Sequence, residues 1–367
     1  MKICLVSLGF YPDLTGGRAV YTFNLYKELK KREHEVEVLT GFWNKKIKDP
    51  MIKQFKIIKK RYLWVPLLFI QCLKELWLNS YDIIHSVGSR ESIICYFSFK
   101  KYFATVHDTG SFEVRLSILY KFVSKIISRA VSVIVPSKTI KARLQKFIPK
   151  INEKKIIPIP NGVDMDKFHP INEREITKFK EKLGIQGKII LYLGRISYYK
   201  GIEDIIDAFL SIRKQIKDVN LILAGKPAAE MVNKYQEWKK KYSGLEIYFT
   251  GFIPDDHLIR YYGIADIFVT YSWAAEGFGF TPIEAMACGV PVISSNIPVF
   301  REVLQDKAIL IPPKRSDLLA DALMNILQNN KLSKKLSTEG LNYARKNYNW
   351  EKSVDNYEKL YKKIVLD

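Results

Sequence analysis

Along the whole chain, short runs of aliphatic and β-branched residues alternate with longer stretches whose apolar positions recur at helical spacing. In the first half the short runs are 3–8, 36–40, 83–87, 103–106, 132–136 and 155–159. In the second half they are 189–193, 220–224, 246–250, 267–271, 290–294 and 308–311. Helix-length segments lie between them, among them 21–32, 202–216, 228–241 and 316–328. Near-continuous apolar strands separated by helices imply parallel sheets covered on both faces. The pattern therefore predicts two doubly wound α/β domains. A polar stretch after Pro160-Asn161-Gly162 sets the expected division: 1–165, 166–345, and helices over 346–367 that cross back onto the first domain. Aromatic residues at helical spacing (Tyr348, Trp350, Tyr357, Tyr361) mark that returning segment.

Length and composition agree with this division. The 367 residues are 47% hydrophobic and 26% charged, enough for two globular cores. The four cysteines stand far apart in apolar surroundings and form no CxxC pair, so they read as free thiols in a reducing compartment. Residues 3–8 read as a first strand instead of a signal peptide. The longest apolar region, 62–78, is broken by Pro66, Gln71, Lys74 and Glu75, which excludes a clean membrane span.

Charge changes the picture more. Residues 1–160 hold 29 Lys and Arg against 12 Asp and Glu, whereas the remainder holds 30 against 26. An excess confined to one half points to an anionic partner there, with a merely soluble basic surface as the plain alternative. The run 53–60 is basic, and Leu67, Leu68, Phe69, Leu73, Leu76 and Trp77 follow it. That segment is either an interfacial amphipathic element or a core helix with an exposed basic flank.

Candidate chemistry lies mostly in the second half. Glu276-Gly277-Phe278-Gly279-Phe280-Thr281-Pro282-Ile283-Glu284 places two carboxylates across a Gly-rich turn that opens a helix. Amides at such a turn meet phosphate, and carboxylates accept charge-assisted hydrogen bonds from hydroxyl pairs. Gly194-Arg195 and Lys200-Gly201 follow a strand, where two cations can close on one diphosphate. In the first half, Gly16-Gly17 follow the first strand and His107-Asp108 end another. Tight turns and a structural histidine explain those two equally simply.

In this ordered set the sequence resembles the family-4 retaining glycosyltransferases of the GT-B fold, the glycosyl transferases of group 1. The resemblance covers nearly the whole chain and is carried most specifically by the Glu276–Glu284 element and its Glu-Ala-Met-Ala-Cys-Gly-Val-Pro-Val continuation. It implies two Rossmann-like domains facing each other across a cleft, the second holding a nucleotide-diphosphate sugar. Glu276 would then contact the donor sugar, Glu284 the ribose, and Arg195 and Lys200 the diphosphate. Gly277, Phe278, Gly279 and Phe280 would supply backbone contacts, and the backbone at Ile253 would read the base. Gly16 and Gly17 would reach the diphosphate, and His107 would position the transferred sugar. The sequence departs from the family at Lys307-Ala308, where a Gly is frequent.

The implied activity is transfer of a hexose, with retention, to a lipid-linked or cell-surface glycan acceptor such as a polyprenyl-linked one. Epimerisation or hydrolysis of the same donor, and polyanion binding, are the alternatives, though no nucleic-acid recognition motif is present. Asp164-Met165-Asp166 has metal-binding spacing but reads as a turn. Arg195 and Lys200 already bring the charge of a metal, so no cofactor or metal is expected. Asp255-Asp256 reads as a helix N-cap. A cytoplasmic protein, peripheral on the inner membrane face, is the expected setting.

Overall fold

The computed structural model describes residues 1–12, 16–42, 46–56, 64–109, 118–274 and 276–366. The chain forms two units, Met1–Gly162 with Trp350–Asp367, and Val163–Asn349.

The first unit contains β1 (Lys2–Val6), β2 (Glu35–Phe42), β3 (Ile52–Lys56), β4 (Ile83–Ser86), β5 (Phe103–Thr105), β6 (Ser132–Val135) and β7 (Ile156–Pro158). They pair in parallel in the order β3-β2-β1-β4-β5-β6-β7, with Leu5 opposite Val38 and His85. The six strands expected in this half are all present. The additional edge strand β3 occupies the segment read from sequence as a basic run, whose remainder, 57–60, lies outside the described residues. Its polarity suits an edge: Lys53 reaches Glu37 at 3.0 Å and Glu75 at 2.8 Å.

The second unit contains β8 (Lys188–Leu193), β9 (Val219–Ala224), β10 (Ile247–Gly251), β11 (Ile267–Thr270), β12 (Val292–Ser295) and β13 (Ile309–Ile311), ordered β10-β9-β8-β11-β12-β13 and parallel throughout. Alternation along β8 sends Ile189 and Leu191 into one core layer and Ile190 and Tyr192 into the other. Helices on both faces bury these layers, which explains the uninterrupted aliphatic runs. In both sheets the strand order reverses once, between β1 and β4 and between β8 and β11.

The last helix, Trp350–Leu366, belongs to the first unit. Arg32 meets its Asp355 at 2.6 Å, and His34 its Glu358 at 2.6 Å. Inside, the Tyr21 and Tyr357 hydroxyls are hydrogen-bonded, and His85 links the Tyr361 hydroxyl (2.6 Å) to Thr105 (2.7 Å). All five side chains are buried. A Cβ at Gly162 would fall 2.6 Å from Trp350, so the bare backbone there lets the helix enter.

The helix Trp64–Leu78 packs one face into the core, as the core reading expects, and leaves another exposed. Leu68, Cys72, Leu73 and Leu76 are buried, while Leu67, Ile70, Trp77 and Leu78 face outward, Leu78 at 71% exposure. No described helix is long and apolar enough to cross a membrane. The four cysteines are buried free thiols.

Candidate active site

Ligands of open α/β sheets sit beyond the carboxyl ends of strands where the strand order reverses. In the second unit that place lies beyond β8 and β11. After β8, the chain passes Gly194 and the exposed Arg195 and enters a short turn, Tyr198–Lys200, that ends at Gly201. Gly201 has φ 61°, and a Cβ there would lie 2.2 Å from the Tyr271 carbonyl oxygen. Only glycine fits, and the fit brings Lys200 against the segment following β11. The Lys200 ammonium forms an ion pair with Glu276, whose same oxygen accepts a hydrogen bond from the Ser272 hydroxyl. Lys200 and Glu276 are only 16% and 13% exposed, so the pair is strongly coupled.

Tyr192, at the end of β8, underlies this cluster. Its hydroxyl donates to the Arg195 carbonyl at 3.0 Å. Burial, with the nearby Glu276 charge, pushes its phenol far above the ordinary range. Trp273 closes one side: its amide donates to the Tyr199 carbonyl at 2.7 Å and its indole to Asp204, with Lys314 over the ring at 5.1 Å.

The Gly-rich turn leads into the helix Phe280–Ala287. Gly279 has φ 88°, and a Cβ there would lie 2.5 Å from the Phe300 ring. Phe278 is buried against Phe280 and Tyr348, both with ring centroids at 5.5 Å. Glu284 accepts a hydrogen bond from Tyr262 at 2.7 Å. Burial pushes its carboxyl up to about 7, against the opposing effects of the Tyr262 hydroxyl and Lys167.

The structure thus brings Lys200 and Glu276 into contact, and Tyr192, which feels the charges of Glu276 and Arg195, binds the Arg195 carbonyl. Glu284 stands on the following helix with its own partner. The side chains of Phe278 and Ile253 belong to the core, which leaves their backbones for any ligand contact. Beside Ile253, Phe252 is exposed under the Lys226 ammonium at 4.8 Å. Ser272, Tyr192 and Tyr262 carry no signal in the sequence. Ser272 stands four residues before Glu276, a spacing that gains meaning only once β11 is placed.

In the first unit, Gly16 is extended (φ −177°), a Cβ added to it would meet nothing within 4 Å, and Gly17 begins the helix Gly17–Lys31. Neither local conformation nor crowding requires glycine at 16. His107 follows β5. Its Nε2 lies 3.1 Å from the Val87 carbonyl oxygen, so Nε2 carries the proton and Nδ1 is the acceptor. The ring meets the edge of Tyr21 at 4.5 Å. Burial, together with the charge of Arg18, pushes the imidazole down to about 3, so it is neutral at physiological pH.

Asp164 accepts hydrogen bonds from the amides of Asp166 (3.1 Å) and Lys167 (3.2 Å), the turn expected of it. Asp255 does not cap its helix: Pro254 takes the cap position, and the Asp255 carboxylate instead pairs with Lys167. Among the described residues no cluster of His, Cys, Asp and Glu has the makings of a metal site.

Residues 173–343 match the family profile of glycosyl transferases group 1, and residues 15–167 match that of Glycosyltransferase Family 4. An uncharacterized glycosyltransferase of Methanocaldococcus jannaschii is 27% identical, across 99% of this chain and 98% of that one. Alpha-monoglucosyldiacylglycerol synthase of Streptococcus pneumoniae is 32% identical over 202 residues, 53% of this chain and 44% of that one. Across this synthase and several other curated relatives, the alignments span from 44% to 65% of the relative's length. Anabaena HepE, solved with UDP and glucose, has the same fold, with a TM-score of 0.82, 18% identity, and coverage of 98% and 99% of the two chains.

Proposed function

We propose that this chain, which belongs to the family-4, group 1 glycosyltransferases of the GT-B fold, transfers a hexose from a nucleotide-diphosphate sugar to a lipid-linked or cell-surface glycan. Retention of anomeric configuration is typical of that family and is part of the proposal. The observation that carries it is the cluster of Lys200, Glu276 and Ser272 at the strand-order reversal, with Arg195 alongside.

The chemistry follows from those groups. The bond from the anomeric carbon to the β-phosphate oxygen breaks, and the leaving diphosphate takes the electron pair. An acceptor hydroxyl oxygen forms the new bond, and its proton passes to the leaving diphosphate. Arg195 and Lys200 neutralise the charge that grows on the diphosphate. This is the work a metal would otherwise do, so none is proposed as required. Glu276, paired with Lys200, accepts hydrogen bonds from sugar hydroxyls. Glu284 takes the ribose hydroxyls, and the amides from Gly277 to Phe280 take the sugar or diphosphate. His107, in the first unit, presents Nδ1 as an acceptor suited to a sugar hydroxyl. Glu276→Ala and Lys200→Ala should each reduce donor turnover about 100-fold or more in folded protein. Undiminished turnover in either would sink the assignment.

The acceptor reading is supported by surface chemistry and by a relative whose name denotes a glycolipid synthase. Outward-facing Leu67 and Ile70 lie on the same helix as Phe69, whose ring meets Phe97 at 5.8 Å, and Phe97 meets Phe122 at 6.3 Å. Exposed Lys74, Lys101, Lys121 and Lys125 are carried by the same region. Aromatic and basic groups together suit an anionic bilayer surface. Vesicles containing phosphatidylglycerol should bind the protein at low salt and release it as salt rises. Equal affinity for neutral vesicles would contradict the electrostatic part.

A further inference from the structure

The first unit has a strand-order reversal of its own. Beyond it, the segments after β4 and β5 and the start of the helix Gly17–Lys31 enclose a cavity lined by Arg18, Gly88, Ser89, Arg90, His107 and Asp108. We propose that this cavity is a phosphate subsite for the acceptor, in which Arg18 and Arg90 hold a phosphate-bearing group beside the hydroxyl that receives the sugar. The inference rests on the glycosyl-transfer reading above and adds the acceptor's chemical class.

Charge is the first argument. Two arginines and one aspartate are among the residues that line the cavity. Neither Arg18 nor Arg90 forms an ion pair among the described residues, whereas Arg32, Lys30 and Lys53 of the same unit all have acidic partners. Guanidinium groups with no ion pair among the described residues are available to bind an anion. Their planar forks match the oxygens of a tetrahedral phosphate better than a point charge does. The Ser89 hydroxyl adds one further donor.

His107 supplies the second argument. Its imidazole is held neutral partly by the field of Arg18, so the cavity is already positive without it. With Nε2 committed to the Val87 carbonyl, Nδ1 can accept a hydrogen bond but cannot donate one to a phosphate oxygen. The labour divides accordingly: the guanidinium groups take the anion and the imidazole takes a sugar hydroxyl. Asp108 stands on the same lining and offsets part of the positive charge.

The test uses the full chain and three variants, Arg18→Gln, Arg90→Gln and the double substitution. Both side chains are exposed, so the fold should survive, and UDP-induced thermal stabilisation reports separately on the second unit. Glycerol 3-phosphate and inorganic phosphate should raise the melting temperature of the wild type. Each substitution should weaken that binding about tenfold or more, while protection by UDP stays unchanged. Phosphatidylglycerol vesicles form the parallel arm. Arginine-dependent binding of vesicles but not of glycerol 3-phosphate would place the phosphate in a lipid headgroup, and the converse in a soluble acceptor. No phosphate or glycerol 3-phosphate binding by the wild type together with vesicle binding that is absent or indifferent to the arginines, or glycerol 3-phosphate binding that survives the double substitution, overturns the subsite. Loss of UDP protection in the variants also overturns it, because the arginines would then serve the donor. Absence of UDP protection in the wild type would instead count against the glycosyl-transfer reading.

Discussion

Lys200 and Glu276 carry two roles at once, and a double-mutant cycle separates them. Removing one partner of a fully buried ion pair costs about 3–5 kcal/mol, because the other charge is left uncompensated. Here each side chain keeps a small solvent-exposed fraction, 16% and 13%, and Glu276 retains the Ser272 hydroxyl. We therefore expect Lys200→Met to cost roughly 2 kcal/mol and Glu276→Gln somewhat less, since an amide can still accept a hydrogen bond. For a domain of this size, 2 kcal/mol lowers the melting temperature by about 4–8 °C. The double variant buries no lone charge, so it should regain at least half of the summed loss, a coupling of about 1–2 kcal/mol. Thermal unfolding followed by tryptophan fluorescence reads this directly. Donor turnover should behave differently, falling about 100-fold or more in all three variants, because the groups needed at the diphosphate and sugar are gone in each. If turnover recovers in the double variant in step with stability, the pair serves the fold and the catalytic assignment is wrong.

Three further outcomes follow from the geometry. Gly201→Ala forces a side chain into φ 61° and against the Tyr271 carbonyl, so it should destabilise the protein by about 1–3 kcal/mol and displace Lys200, lowering turnover beyond what stability explains; unchanged kinetics would refute the placement. Tyr357→Phe removes one partner of the buried Tyr21 hydroxyl, which keeps Thr105, at a cost of about 1 kcal/mol, whereas Tyr21→Phe combined with Tyr357→Phe should cost less than the two single changes added together, as read by urea melts. His85 and His107 are both pushed down to about 3 in the folded chain by burial. The unfolded chain binds their protons first, so stability is full above about pH 6.5 and is lost as pH falls toward 3. The two histidines should contribute about equally, and His85→Gln should flatten the fall in melting temperature between pH 7 and 5.

The legible and illegible parts of the sequence differ for physical reasons. Strands such as β8 and β11 are buried on both faces, so their composition announces them. β3 is an edge strand whose Lys53 serves two glutamates, and alternation is hidden there under charge. The same distinction holds at the site. Gly201 and Gly279 occupy backbone conformations that select glycine, and their neighbours Lys200 and Glu276 could be found through them. Ser272, Tyr192 and Tyr262 sit on ordinary backbone and acquire a role only when β8, β11 and the helix Phe280–Ala287 come together. Asp255 illustrates the reverse error: its position before a helix suggested a cap, but Lys167, 88 residues away in sequence, claims its carboxylate. Arg18 and Arg90 cannot be singled out from sequence, because a lone arginine in a basic half carries no pattern of its own.

Everything proposed for the second unit turns on its capturing a nucleotide-diphosphate sugar for transfer. The most direct test incubates the purified protein with a panel of UDP- and GDP-sugars, with and without membrane lipid extract, and follows nucleotide diphosphate release by chromatography. Release is expected from at least one donor, strongly stimulated by extract, with sugar appearing on an extractable product, and it should be lost in Glu276→Ala. Conversion of the donor to an isomer without acceptor, or no turnover and no nucleotide-induced stabilisation with any donor, would contradict capture for transfer.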